Sequence, residues 1–112
     1  MVEIYTDGSS IGNPGPGGYG IVMQWKGKKY KKEFYSGYRY TTNNRMELLA
    51  VIKALEKLKK INQEVVVFSD SKYVIDAVEK KWVFKWRKDK FKGKKNSDLW
   101  KKFLKLFEIH NI

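Results

Sequence analysis

The stretch that most constrains how this chain can fold is Glu64 to Ser69, EVVVFS, a nearly continuous apolar run that follows a segment of quite different period. From Arg45 to Lys60, Leu48, Val51, Ile52, Leu55 and Leu58 recur at helical spacing and form one apolar stripe. A run as short as EVVVFS, with almost no polar alternation, is the pattern of a central strand covered on both faces. Ahead of the helix the period is two. Val2 to Thr6 reads as a strand ended by Asp7-Gly8; Tyr19, Ile21, Met23 and Trp25 fall on one face of a second strand; Lys26-Gly27-Lys28 reads as a hairpin turn. The third strand, Lys29 to Ser36, alternates poorly and carries Lys and Tyr, as an exposed edge does. The helix must cross over the sheet, and the right-handed crossover rule sets the fourth strand parallel to the first and beside it. Asn44 is the expected N-cap of that helix. Ser71 to Lys81 is the next helix, and a last amphipathic helix starting near Ser97 presents Leu99, Trp100, Phe103, Leu104 and Phe107. The expected architecture is α/β: a mixed sheet of three antiparallel strands plus a parallel fourth, with flanking helices, in one domain over residues 1–112.

The chemistry open to such a chain is narrowed by what it lacks. Zero cysteines exclude disulfides, thiolate catalysis and cysteine-based zinc sites, and a single histidine leaves metal binding to carboxylates, which suit hard cations such as magnesium. No apolar run approaches the ~20 residues that span a bilayer, and the N-terminus enters a strand without a secretory signal, so a cytoplasmic protein is expected. Gly15 to Gly20, GPGGYG, fits the dinucleotide fingerprint G-x-G-x-x-G, but its context is wrong. A strand follows it in place of the helix whose N-terminal amides would hold phosphates, and Pro14 and Pro16 remove two amides. The formal charge of +12 is concentrated in Lys80 to Lys95, KKWVFKWRKDKFKGKK, where nine Lys or Arg stand against Asp89. Trp82, Phe84, Trp86 and Phe91 interleave these charges, and some of the four rings belong to the core. A dense run of one sign repels itself unless a polyanion offsets it, which favours a nucleic-acid contact.

Three acidic residues stand where the expected sheet would gather them. Asp7 closes the first strand and Asp70 the fourth, so parallel neighbours set both at one end of the sheet, the end at which open α/β sheets bind ligands. Glu47 lies in the first turn of the intervening helix, within reach of that edge. Each has an alternative reading: an Asp7-Gly8 turn, a capping box between Asn44 and Glu47, an Asp70 helix cap. Together, three carboxylates at one edge repel one another unless a cation joins them, and divalent ions do this in phosphodiester cleavage.

The segments IYTDGS, NPGPGGYG, TTNNRMELLA and SDSKYV, then the Trp-rich basic segment closing with NSDLW, together resemble type 1 ribonuclease H in order and spacing over essentially the whole chain. The resemblance implies endonucleolytic hydrolysis of the RNA strand of RNA/DNA hybrids with two magnesium ions (manganese as an alternative), leaving a 5′-phosphate and a 3′-hydroxyl. It implies Asp7, Glu47 and Asp70 as catalytic, metal-binding carboxylates, three of the family's four, with the Gly8 backbone as a weak further ligand. It also implies that Asn13, Asn43 and Asn44 read the minor groove of the hybrid and that Thr42 binds a phosphate of the DNA strand. The basic segment resembles the family's protrusion, with Trp82 and Trp86 in a channel for the DNA backbone and Lys72, Lys85, Arg87 and Lys88 as further contacts. The family continues into a fifth strand, a histidine-bearing loop and a helix with a fourth metal-binding aspartate, which these 112 residues do not include. His110 is not expected to substitute. The alternatives are a catalytically impaired hybrid-binding module, a fragment that needs the missing segment, and a related integrase or resolvase, the last opposed by TTNNRMELLA. The expected state is a monomer, with the uncovered sheet edge as a route to self-association.

Overall fold

The computed structural model describes residues 1–28, 30–60, 64–110 and 112. Three strands come first, β1 (Val2–Ser10), β2 (Gly15–Trp25) and β3 (Lys31–Thr41). Helix α1 (Asn43–Glu56) then leads to β4 (Val65–Phe68), and three helices follow, α2 (Lys72–Glu79), α3 (Trp82–Lys88) and α4 (Ser97–Ile109). The sheet order is β3-β2-β1-β4, with β1 antiparallel to β2 and parallel to β4, as the crossover rule requires.

Alternation sets the inner face of the sheet. Val2, Ile4 and Thr6 of β1 and Ile21 and Met23 of β2 are buried beneath α1. The helix is buried more broadly than one stripe, with Met46, Leu48, Ala50, Val51, Ile52, Ala54 and Leu55 all covered, because it lies between the sheet and α4. From α4, Leu99, Trp100, Phe103 and Leu104 close the same core. Burying side chains of this size stabilises by about 1.5–3 kcal/mol each before the entropy of ordering them is subtracted.

Several expected boundaries change for physical reasons. β1 does not end at Asp7-Gly8; it runs on to Ser10, with Asp7 paired to Gly20 and Gly8 to Tyr19, so there is no Asp-Gly turn. β2 begins at Gly15, and its glycines serve packing: a Cβ on Gly17 would lie 2.6 Å from the Ser9 carbonyl oxygen, and one on Gly18 2.6 Å from that of Ser36. GPGGYG is therefore strand, as its sequence context indicated. β3 is shifted later, to Thr41, and its expected first residue Lys29 lies outside the described residues; Tyr35 and Tyr40 stand exposed along this edge. The cap of α1 is Thr42, whose hydroxyl accepts from the Arg45 amide, in place of Asn44. That moves the helix start back and sets Glu47 beyond the first turn, so no Asn44–Glu47 capping box forms. Ser71, not Asp70, caps α2. β4 pairs only with β1 among the described residues, and Val66 and Phe68 are exposed, so the apolar run is not covered on both faces.

Candidate metal centre and nucleic-acid surface

The parallel register between β1 and β4 brings the aspartates together. Tyr5 pairs with Phe68, and their rings stack at 4.7 Å; two residues further, one chain reaches Asp7 and the other Asp70. Adjacent strands lie about 4.8 Å apart, so equal register leaves the carboxylates neighbours. Glu47 joins them from α1, and one carboxylate oxygen of each of the three lies within 4.8 Å of the others.

Gly8 makes this approach possible. A Cβ there would come within 2.5–2.7 Å of the backbone of Met46 and Glu47, so only glycine lets α1 lie this close to β1. Its amide donates to Glu47 Oε1 at 3.2 Å. The other oxygen, Oε2, is buried and has no hydrogen-bond partner among the described residues. Burial pushes the Glu47 carboxyl above the usual carboxylate range; the Gly8 amide opposes this, and the charges of Asp70 and Asp7 add to it. A buried anionic oxygen without a donor, beside two more carboxylates, is costly as it stands. A divalent cation relieves both costs, and an all-oxygen donor set suits magnesium or manganese, so the residues fit such a metal.

Next to the carboxylates lies a polar corner. Asn43, at the start of α1, accepts through Oδ1 from the amide and hydroxyl of Ser10, and its own amide donates to Asn13 Oδ1. Asn13, Asn43 and Asn44 are exposed, and Thr42 is half-buried as the cap. The structure thus joins Asn13, Thr42 and Asn43 into one rim, with Ser10 as a member that the sequence did not single out. Ser10 lies 33 positions from Asn43, beyond any local periodicity.

The expected basic contacts divide into two groups. Lys72, Lys85 and Lys88 are exposed, and Trp82 is 44% exposed with Lys80 over its ring. Trp86 is half-buried against Trp100, edge-on at 6.0 Å, and Arg87 is paired with Glu108. The backbone of this segment is unusual: all the non-glycine residues with positive φ among those described, Lys81, Lys90, Phe91 and Asn96, lie at or beside it. Left-handed residues of this kind are costly outside glycine and cluster at functional sites. Arg45, Tyr73 and Asn96, linked across 23 to 51 positions, were also not visible in the sequence.

The RNase H family model matches residues 1–112. A ribonuclease H from Desulforamulus reducens is 51% identical over 116 residues, covering 99% of this chain and 71% of that protein. The crystal structure of LC9-RNase H1, a type 1 RNase H with the type 2 active-site motif, superposes with a TM-score of 0.82 at 31% identity, covering 97% of this chain and 58% of that one. LC11-RNase H1, solved in complex with RNA/DNA hybrid, is 32% identical with a TM-score of 0.71, covering 97% and 75%.

Proposed function

Since this chain belongs to the ribonuclease H family, we propose that it hydrolyses the RNA strand of RNA/DNA hybrids, with Asp7, Glu47 and Asp70 holding the divalent metal. The observation that carries this reading is the convergence of three carboxylates from β1, α1 and the end of β4, with Glu47 Oε2 buried and unpartnered among the described residues. Divalent metal held by Asp7, Glu47 and Asp70 would supply activation of a water and stabilisation of the leaving 3′-oxygen.

The chain's own residues supply position. Gly8 fixes Glu47 through its amide, and the equal register of β1 and β4 fixes the two aspartates against each other. No protein nucleophile is needed, which agrees with Ser10 spending its hydroxyl on Gly12 and Asn43. The exposed amides of Asn13, Asn43 and Asn44 suit base and sugar edges in the wide minor groove of a hybrid, where the 2′-hydroxyl distinguishes RNA from DNA. Trp82 and the exposed lysines Lys72, Lys85 and Lys88 suit the DNA backbone, with Trp86 behind them as partial core. LC11-RNase H1 with its bound hybrid supports hybrid as the partner. No helix among the described residues is long and apolar enough to cross a membrane.

Labelled hybrid incubated with the protein and magnesium tests the reading. Cleavage that releases RNA fragments with 3′-hydroxyl ends, lost by about 10³-fold or more in Asp7→Asn, is the expected result. Hybrid binding without cleavage by the native sequence leaves a binding module and removes the enzyme.

A further inference from the structure

The end of α1 remote from the carboxylates carries a second concentration of charge. Lys26 and Lys28 from the turn between β2 and β3, Lys32 from β3, and Lys57, Lys59 and Lys60 from just past α1 rim a cleft of about 580 Å³. All but Lys32 are exposed. Among the described residues none of the six pairs with a carboxylate. The glutamates next to Lys32 and Lys57 in sequence are engaged elsewhere, Glu33 by Lys31 at 3.5 Å and Glu56 by Lys53 at 3.3 Å. Like charges around one hollow repel one another until an anion is seated there.

Aromatic rings line the same hollow. Trp25 and Phe34 are half-buried on its floor, and Tyr30, 48% exposed, meets Trp25 with ring centroids 5.1 Å apart. Lys32 Nζ lies over the Tyr30 ring at 5.4 Å and Lys57 Nζ over that of Phe34 at 4.8 Å, so ring and charge alternate along the wall. Rings interleaved with cations suit a single strand, which offers an unstacked base to the ring and phosphates to the charges. A duplex keeps its bases stacked and has no free face to present here. An acidic peptide matches the charge, but carboxylates are best held by the forked guanidinium of arginine, and the six cations of the rim are all lysine, a point charge suited to phosphate.

We propose that this cleft is a second nucleic-acid site, which holds a single strand with a base against Tyr30 and Trp25 and its phosphates on Lys57, Lys60 and the neighbouring lysines. Ten helical residues separate Glu47 from Lys57, about 15 Å, so the cleft stands clear of duplex seated at the carboxylates. A hybrid that continues into a single strand then occupies both sites at once, and linkage raises its affinity with no new contact in either. This consequence rests on the reading of hybrid as the substrate; single-strand binding by itself does not.

Fluorescence anisotropy with labelled oligothymidylate, in buffer without divalent metal, tests the site. Tyr30, Lys57 and Lys60 are exposed, so their substitution leaves the core intact. Tyr30→Ala should weaken binding about fivefold or more, the loss of one stacked base. Lys57→Glu with Lys60→Glu should lessen the slope of log K against log salt by about 1.4, two phosphate contacts of a single strand. Lys85→Glu with Lys88→Glu changes the net charge equally and should have the smaller effect. With magnesium, the native protein is expected to show a KM about 3- to 10-fold lower for hybrid bearing single-stranded tails of about ten nucleotides at both ends than for blunt hybrid. Lys57→Glu with Lys60→Glu should lose that advantage and keep the native kcat on blunt hybrid. Native affinity for oligothymidylate in Tyr30→Ala overturns the stacking cleft, and so does an equal loss from the two lysine pairs. Displacement of the oligonucleotide by hexaglutamate as readily as by hexathymidylate also overturns it, and marks an acidic protein as the partner. Equal KM for tailed and blunt hybrid overturns simultaneous occupancy. Single-strand binding that responds as expected in a protein that leaves hybrid uncut overturns the enzyme and upholds the cleft.

Discussion

At the scale of single residues, Glu47 and Gly8 are interdependent. Glu47 is held in a half-buried position with one oxygen on the Gly8 amide and the other unpartnered among the described residues, next to two like charges. Glu47→Gln keeps the acceptor for Gly8 and exchanges the orphan oxygen for an NH₂ that can donate to Asp7 or Asp70. Metal-free Glu47→Gln is therefore expected to melt about 2–4 °C higher than the native protein at neutral pH, while losing most of the rise that magnesium gives the native protein. Thermal melts with and without magnesium check this, and an undiminished magnesium response in the variant contradicts Glu47 as a ligand. Gly8→Ala tests the other half of the pair. Its methyl group would collide with backbone at 2.5 Å, which no rotamer relieves, so α1 must lift from β1. We expect a loss of about 1–3 kcal/mol in denaturant titrations and, with Glu47 displaced, a larger proportional loss of cleavage than of stability. The carboxylates themselves were legible in the sequence because each sits at the edge of a periodic segment. Gly8's role was not, since a turn and a close backbone approach both ask for glycine and only the fold distinguishes them.

At the scale of elements, the order of strands and helices followed from period changes, and the parallel placement of β4 from the crossover rule. The errors lie where local and tertiary demands differ. Asp7-Gly8 spells a turn locally, yet pairing with Gly20 and Tyr19 carries β1 through it. Thr42 and Asn44 are both good caps, and Thr42 prevails because Asn43 is held by Ser10 and Asn13 at the helix start. The joining of α1 to α4 was not legible either, since Arg45 and Asp98 are 53 positions apart. Their ion pair has a definite pH signature. The Arg45 guanidinium holds the Asp98 carboxyl below its ordinary value. A carboxyl that is more acidic folded than unfolded contributes stability above its unfolded pKa and loses it as pH falls through the folded one. Asp98 is more than half exposed, so solvent screening limits the contribution to about 0–1 kcal/mol. Asp98→Asn should be less stable than the native protein by that amount at pH 7, with the difference closing in strong acid, once the pH has fallen below the depressed folded pKa. Denaturant titrations at the two pH values decide it; a gap that persists in acid assigns the loss to packing.

At the scale of the whole molecule, the +12 charge is not one field. One concentration is the protrusion. Another lies at the far end of α1, where Lys26, Lys28, Lys32, Lys57, Lys59 and Lys60 rim a cleft of about 580 Å³ floored by Met23, Trp25 and Phe34. The helix between them has 14 residues, so the second cluster stands about 15–20 Å from the carboxylates, while the Debye length at physiological salt is about 8 Å. Charges that far from a hybrid seated at the carboxylate edge contribute little to counterion release, whereas each lysine on a phosphate contributes a slope of nearly one. The double substitution Lys85→Glu and Lys88→Glu is therefore expected to lessen the slope of log K against log salt for hybrid binding by about two, and to weaken binding most at low salt. Lys57→Glu with Lys60→Glu changes the net charge equally and should leave the slope within about half a unit of the native value. Fluorescence anisotropy across a salt series, in calcium in place of magnesium to suppress cleavage, separates the two. Equal effects from the two pairs would mean that net charge alone governs binding, and the protrusion would then have no special claim on the DNA strand.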